Sequence, residues 1–180
     1  MSSKIDYSEI AYGGMRFIVT GTPDDDTLAD YVALWQSLGV VRIVRMCETT
    51  LYDASKLPAT LPITELLSQD GDVPADADID AWLALVAAQY GSPAELKRKL
   101  KAGEIDEKTR QPAIAVHCVA GLGRSPLVVA VALMEYGCEG GKAPKVIEYV
   151  RARRRKALNM TQMKFLREYK PRLSKDCVIM

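Results

Sequence analysis

The chain has 180 residues, enough for one domain with a real core and too few for two comfortable ones. Charge is almost balanced, with 24 Lys or Arg against 23 Asp or Glu, so composition gives no reason to expect a nucleic-acid partner. One histidine and four widely spaced cysteines (Cys47, Cys118, Cys138 and Cys177) argue against a multi-histidine metal site, a zinc site and a disulfide framework. A reduced cytosolic setting is expected, with no signal region and no apolar run long enough to cross a bilayer.

In chain order, residues up to about 14 read as a loose arm or an edge strand. Residues 15–20 read as a strand. Residues 27–38 read as a helix, with Leu28, Val32, Trp35 and Leu38 on one face and Gly39 as its stop. Residues 40–46 form the next strand. Residues 51–67 are broken by Pro58 and Pro62, with a short strand expected near their end. An acidic loop over 68–78 precedes a helix over 79–90 that buries Ile79, Trp82, Leu83 and Val86. Ser92-Pro93-Ala94-Glu95 is a capping-box start for a short charged helix ending near Gly103. Residues 113–116 form a buried strand and 127–134 an apolar helix. Helices over 143–155 and 161–169 complete the chain. Alternating strands and helices predict an α/β fold. It is a single domain over 1–172, with a mostly parallel central sheet of four to five strands flanked by helices, and a tail over 173–180.

The strand at 113–116 runs into His117-Cys118-Val119-Ala120-Gly121-Leu122-Gly123-Arg124-Ser125-Pro126 and then into the apolar helix. A glycine-containing loop between a strand and a helix start turns backbone N–H groups inward, and the helix end adds partial positive charge. An anion is expected there, and phosphate fits best. The same field favours the thiolate of Cys118 as a nucleophile toward phosphorus. Arg124 supplies a planar fork for two phosphate oxygens, which lysine cannot. Gly121 and Gly123 permit the tight curvature. Val119, Ala120 and Leu122 form a plain pocket floor. His117 is expected to orient the loop and set the thiolate's environment. Ser125 is expected to donate a hydrogen bond to the sulfur, easing its departure. A leaving oxygen also needs a proton, and the acidic loop offers Asp70, Asp72, Asp76 and Asp78. Such a mechanism requires neither metal nor organic cofactor.

The His-Cys-five residues-Arg-Ser run resembles the signature loop of cysteine-dependent protein tyrosine phosphatases. The string from Cys118 to Arg124 is similar to that of the phosphatases of regenerating liver, a prenylated group within the dual-specificity class. Met15-Arg16-Phe17-Ile18, Val44-Arg45-Met46-Cys47-Glu48, Asp80-Ala81-Trp82-Leu83, Lys170-Pro171-Arg172 and Cys177-Val178-Ile179-Met180 have counterparts in order. The resemblance implies a phosphatase acting on phosphotyrosine, with phosphoserine, phosphothreonine or a phosphoinositide as further substrate classes.

Counting back from Trp82, Asp70-Gly71 falls on the family's Asp-Gly. That makes Asp70 the general acid and then the base, with Asp72 in reserve. Leu66-Leu67-Ser68-Gln69 departs from the family's Trp-Pro-Phe-Asp. Ser125 replaces a frequent alanine, implying faster turnover than in close relatives. Cys47 is implied as a redox partner of Cys118, and Cys138 is assigned to packing. The stretch 91–112 is longer than its counterpart and reads as a surface insertion.

Cys177-Val178-Ile179-Met180 matches a CaaX box favouring farnesyl by a prenyltransferase. One prenyl chain anchors weakly. Residues 142–180 hold twelve Lys or Arg against three Asp or Glu. Arg151, Arg153, Arg154, Arg155 and Lys156, with Lys170, Arg172 and Lys175, are expected to add attraction to anionic lipid. The expected location is the cytoplasmic face of plasma or endosomal membranes, with a cytosolic pool. The alternative the resemblance implies is a low-turnover binding module for the cytosolic domain of a cyclin-M type magnesium transporter.

Overall fold

The computed structural model describes residues 5–48, 51–106 and 110–173. One five-stranded sheet organises them, built from β1 (Tyr7–Tyr12), β2 (Met15–Thr20), β3 (Val40–Arg45), β4 (Ile63–Glu65) and β5 (Ala113–His117), in the order β1-β2-β5-β3-β4. The N-terminal arm is the edge strand. It pairs antiparallel with β2 through a two-residue turn at Gly13-Gly14, both at positive φ, where side chains would be strained. The remaining pairs are parallel.

Among the described residues six α-helices accompany the sheet: α1 (Leu28–Ser37), α2 (Asp76–Tyr90), α3 (Pro93–Lys101), α4 (Arg124–Glu135), α5 (Ala143–Arg153) and α6 (Met160–Glu168). Strand alternation divides the core. Ala113 and Ala115 of β5 face a small cluster with Ile18, Trp35 and Ile43, where their short side chains leave room for the indole. Ile114 and Val116 face the larger cluster around α4. All twelve residues of α4 are buried, which explains why its sequence is apolar all round. The Trp82 indole N–H of α2 donates to the Val128 carbonyl of α4 at 2.7 Å, so this buried polar group is satisfied.

Most predicted elements stand within a few residues of their expected bounds, and the differences matter for the site. α2 begins at Asp76, three residues before the predicted start, which places Asp76 and Asp78 in its first turn, where negative charge suits the helix dipole. The acidic loop is correspondingly shorter. α4 begins at Arg124 itself rather than at Leu127. The capping box of α3 is formed, with Ser92 Oγ accepting from the Glu95 N–H and Glu95 accepting from the Ser92 N–H.

β5 is inserted between β2 and β3, and its end residue His117 is aligned with Thr20 and Arg45. The loop after β5 therefore leaves the carboxyl edge at the middle of the sheet, where open α/β sheets place their ligands.

Candidate active site

The loop from Cys118 to Gly123 is held by its carbonyls. Val119 O accepts from the Thr22 N–H at 3.0 Å, and Leu122 O accepts from the Leu158 N–H at 2.8 Å. Between them Arg154 donates from Nη2 to Ala120 O at 3.4 Å and from Nε to Gly121 O at 3.1 Å. Four consecutive carbonyls are thus drawn outward. Because each trans peptide sets its N–H opposite its C=O, the N–H groups of residues 120–123 turn the other way, into the loop. Gly121 sits at φ +67°, and a Cβ there would lie 2.3 Å from Thr20 O, so only glycine fits. Cys118 is 3 % exposed at the base of this cradle.

Arg124 is fully buried. Its Nη1 donates to Ser68 O at 2.7 Å and to Met46 O at 3.4 Å, which fixes the plane of the guanidinium. Nε and Nη2 have no hydrogen-bond partner among the described residues. Nη2 lies 3.1 Å from Asp70 Oδ1, close enough for an ion pair but misaligned for a hydrogen bond. Glu48 Oε2 stands 3.8 Å from Nη1. One cation is thus anchored on one side by carbonyls and carries two unsatisfied donors on a shared edge.

The acid loop is held from α6. Asn159 and Gln162 form a reciprocal capping box at its start. The Asn159 side chain also donates to Gly71 O at 2.9 Å, and Gln162 donates to Asp72 O at 3.3 Å. Asp72 turns its own carboxylate onto the Val73 N–H, whereas Asp70 faces Arg124.

Three expectations meet a different arrangement. His117 touches neither the loop's interior nor Cys118 by hydrogen bonding. Its Nε2 lies 2.9 Å from Tyr52 Oη and its Nδ1 4.0 Å from Cys47 Sγ, with the Trp35 ring stacked beside it. Burial, aided by the Arg45 charge, pulls its pKa down to about 3, so the imidazole is neutral at pH 7. His117 therefore supplies no charge to the loop at pH 7.

Ser125 Oγ is buried and has no hydrogen-bond partner among the described residues, so the expected bond to the sulfur is not made here. Cys47 and Cys118 are both free and buried, and burial pushes the Cys47 thiol up against an opposing hydrogen bond from Thr22. Cys138 is fully buried, in keeping with packing.

The basic run is also divided. Arg154 is 4 % exposed, bound to the loop carbonyls and paired with Asp6 at 2.9 Å, so it does not face lipid. Arg172 pairs with Asp76 and Asp80 of α2. Cys177, Lys175 and the rest of the CaaX segment lie outside the described residues. Among the described residues, no group of three or more His, Cys, Asp or Glu side chains could hold a metal ion. Among them, no helix is long and apolar enough to cross a membrane.

The geometry is that of a cysteine phosphatase loop, and comparison with known proteins agrees. The dual specificity phosphatase catalytic domain model matches residues 100–172. The PRL-1 phosphatase of Drosophila melanogaster is 33 % identical over 91 % of this chain and 82 % of its own length. The human protein tyrosine phosphatase type IVA 3 is 33 % identical over 91 % of this chain and 84 % of its own. The chain belongs to the type IVA protein tyrosine phosphatases, the phosphatases of regenerating liver. A solved structure of a Leishmania major protein tyrosine phosphatase superposes with a TM-score of 0.70 at 31 % identity, covering 93 % of this chain and 99 % of that one.

This phosphatase thus uses residues that sequence reasoning alone does not single out for the site. Arg154 shapes the loop, Tyr52 holds His117, Asn159 and Gln162 hold the acid loop, and Glu48 stands beside Arg124. Arg154 is hidden in a run of similar residues, and the others act across 65 to 90 positions of sequence.

Two outcomes follow for this phosphatase. Replacing Arg154 by Met keeps the bulk but frees Ala120 O and Gly121 O; kcat/KM on an aryl phosphate is expected to fall about 100-fold. An unchanged value would show that the loop holds its shape without it. The depressed His117 pKa means that between about pH 6.5 and pH 3 the unfolded chain takes up a proton the folded chain refuses. Its contribution to stability is therefore complete above pH 6.5 and is lost as pH falls. Between pH 7 and pH 5 the loss is expected to be about 2 kcal/mol. Urea denaturation at the two pH values should show this loss in the wild type and a correspondingly smaller one in His117→Gln.

Proposed function

We propose that this enzyme hydrolyses phosphate monoesters through a phosphocysteine on Cys118. The Cys118 thiolate attacks phosphorus, the P–O bond to the leaving group breaks, and Asp70 gives its proton to the departing oxygen. Asp70 then takes a proton from water as that water attacks the phosphocysteine, releasing inorganic phosphate and restoring the thiolate. Arg124 and the loop amides bind the three non-bridging oxygens and hold the charge that spreads over them in the transition state. The observation that supports this reading best is the buried edge of Arg124, where Nε and Nη2 stand unpartnered above the loop. A tetrahedral dianion satisfies both at once and displaces Asp70, whose freed carboxylate takes up from solvent the proton it then gives to the leaving oxygen.

Phosphotyrosine is the proposed substrate, with phosphoserine, phosphothreonine and phosphoinositides as further classes. Val119 is exposed on the loop, and Leu67 is exposed just before the acid segment, offering apolar contact to a substrate ring. Cys177 is proposed to carry a prenyl chain that brings the enzyme to the cytoplasmic face of membranes. The sequence Cys-Val-Ile-Met and the exposed Arg155 and Lys156 support that reading. A thiol exchange between Cys47 and Cys118 is proposed as protection of the nucleophile, supported by their shared place in the core.

The test is a pH–rate profile on a small aryl phosphate. Cys118→Ser is expected to be inactive. Asp70→Ala is expected to lose the basic limb and to retain substrate binding; if Asp72→Ala loses that limb instead, the acid is Asp72. A stable phosphocysteine with near-zero multiple turnover in the wild type would favour the alternative binding role at a magnesium transporter.

Burst kinetics tests Ser125 separately. Ser125→Ala is expected to keep the burst and slow the steady state about 10- to 100-fold, the scale of losing one hydrogen bond to a charged group. An unchanged steady state would remove Ser125 from phosphoenzyme breakdown.

A further inference from the structure

The inserted stretch 91–112 does more than bridge two core elements. α3 lies across the β1–β2 turn, with Leu96 buried and Leu100 close over Gly13. The Tyr136 hydroxyl donates to Gly91 O at 2.6 Å and fastens the start of the insertion to the end of α4. Between α3 and the end of α4 lies a groove of about 590 Å³, lined by Tyr12, Ala94, Leu96, Leu100, Tyr136 and Leu173 among others. This volume is in the range of pockets that bury compact ligands, ~300–1,000 Å³.

The last described residues run to the wall of this groove. Glu135, 3 % exposed, accepts from the Tyr169 hydroxyl at 2.6 Å, the Arg172 N–H at 2.7 Å and the Leu173 N–H at 2.9 Å. A buried carboxylate with three donors fixes the backbone at the last described residues. Arg172 adds ion pairs to Asp76 and Asp80 of α2. Leu173, the last described residue, is itself part of the groove wall.

Ser174-Lys175-Asp176-Cys177-Val178-Ile179-Met180 follows. The five residues to Val178 span up to about 17 Å when extended, against about 13 Å for the nine residues of α3. The segment of seven residues is therefore enough chain to match the length of that wall. Its apolar end matches the apolar lining, and Asp176 can meet Lys97, which borders the groove.

We propose that this groove seats the chain's own unmodified C-terminal segment, with the side chains of Val178, Ile179 and Met180 against Ala94, Leu96 and Leu100. The seated tail holds Cys177 against the fold, away from any enzyme or reagent that would modify it. Docking thereby competes with lipid attachment and sets how much of the protein becomes membrane-bound. Catalysis plays no part in this docking, so the outcome is independent of the phosphatase mechanism.

The experiment uses the full chain, methyl-labelled at Ala, Ile, Leu, Val and Met. Nuclear Overhauser effects between Ile179 and the methyls of Leu96, Leu100 and Ala94 are expected, unchanged on tenfold dilution. They should vanish in Ala94→Arg, which fills the groove from an exposed position; in Ile179→Asp, which leaves the groove intact, the corresponding effects from the Val178 and Met180 methyls should vanish. In the same samples Cys177 alkylation by a bulky maleimide, followed by peptide mass spectrometry, should run at least 10-fold faster in both variants than in the wild type. Turnover of an aryl phosphate should be equal in all three. Absence of these Overhauser effects in the wild type, or equal alkylation rates in the three proteins, would overturn the proposal. So would their disappearance on dilution, which would assign the groove to a second copy of the chain.

Discussion

A single buried cation organises the active site. Arg124 has no exposed surface, yet only one of its nitrogens is fully engaged by hydrogen bonds, to Ser68 O and Met46 O. A charge removed from water and left part-paired costs several kcal/mol unless an anion meets it. Asp70 meets it only from the solvent side, with 87 % of its side chain exposed, so water competes for its carboxylate. A phosphate dianion delivered into the loop is the stronger partner. The fold thus holds a guanidinium in a state that an oxyanion resolves, at the end of the loop that begins with Cys118. In the proposed mechanism, substrate binding and release of Asp70 from its ion pair are one exchange.

That arrangement depends on where the sheet puts β5. Insertion between β2 and β3 sets the loop at the centre of the carboxyl edge, with Thr22 from one neighbour's exit and Met46 from the other's close enough to grip it. The later helices grip it from outside. Arg154 at the end of α5 and Leu158 before α6 take the loop carbonyls, and the α6 capping box takes the acid loop. Helix capping here has two uses: Asn159 and Gln162 satisfy the helix start and also join the two loops that must act together.

How much of this is legible in the sequence follows from how local each interaction is. The strand, the loop and the helix around Cys118 and Arg124 are contiguous, so residue types and spacing reveal them. The α3 capping box is also local, and its four residues suffice to find it. Tyr52 beside His117 and Gln162 beside Asp72 are contacts between distant segments, and no periodicity marks them. His117 departs from expectation for a related reason. As the last residue of β5 its side chain follows the strand's alternation, toward the α1 face with Ala113 and Ala115, where its ring stacks on Trp35 and its two nitrogens meet Tyr52 and Cys47 rather than Cys118. By charge alone Arg154 is one of several arginines suited to lipid, and only burial reveals its structural partners. The start of α2 is hard to place because Asp76 and Asp78 resemble loop residues until the helix dipole explains them.

The most direct test of this account is a crystal structure with tungstate, an oxyanion of phosphate shape. The account predicts tungstate inside the loop, Nε and Nη2 of Arg124 each donating to one of its oxygens, and Asp70 moved off the guanidinium. Arg124 still paired with Asp70, and tungstate absent from the loop at saturating concentration, would contradict it.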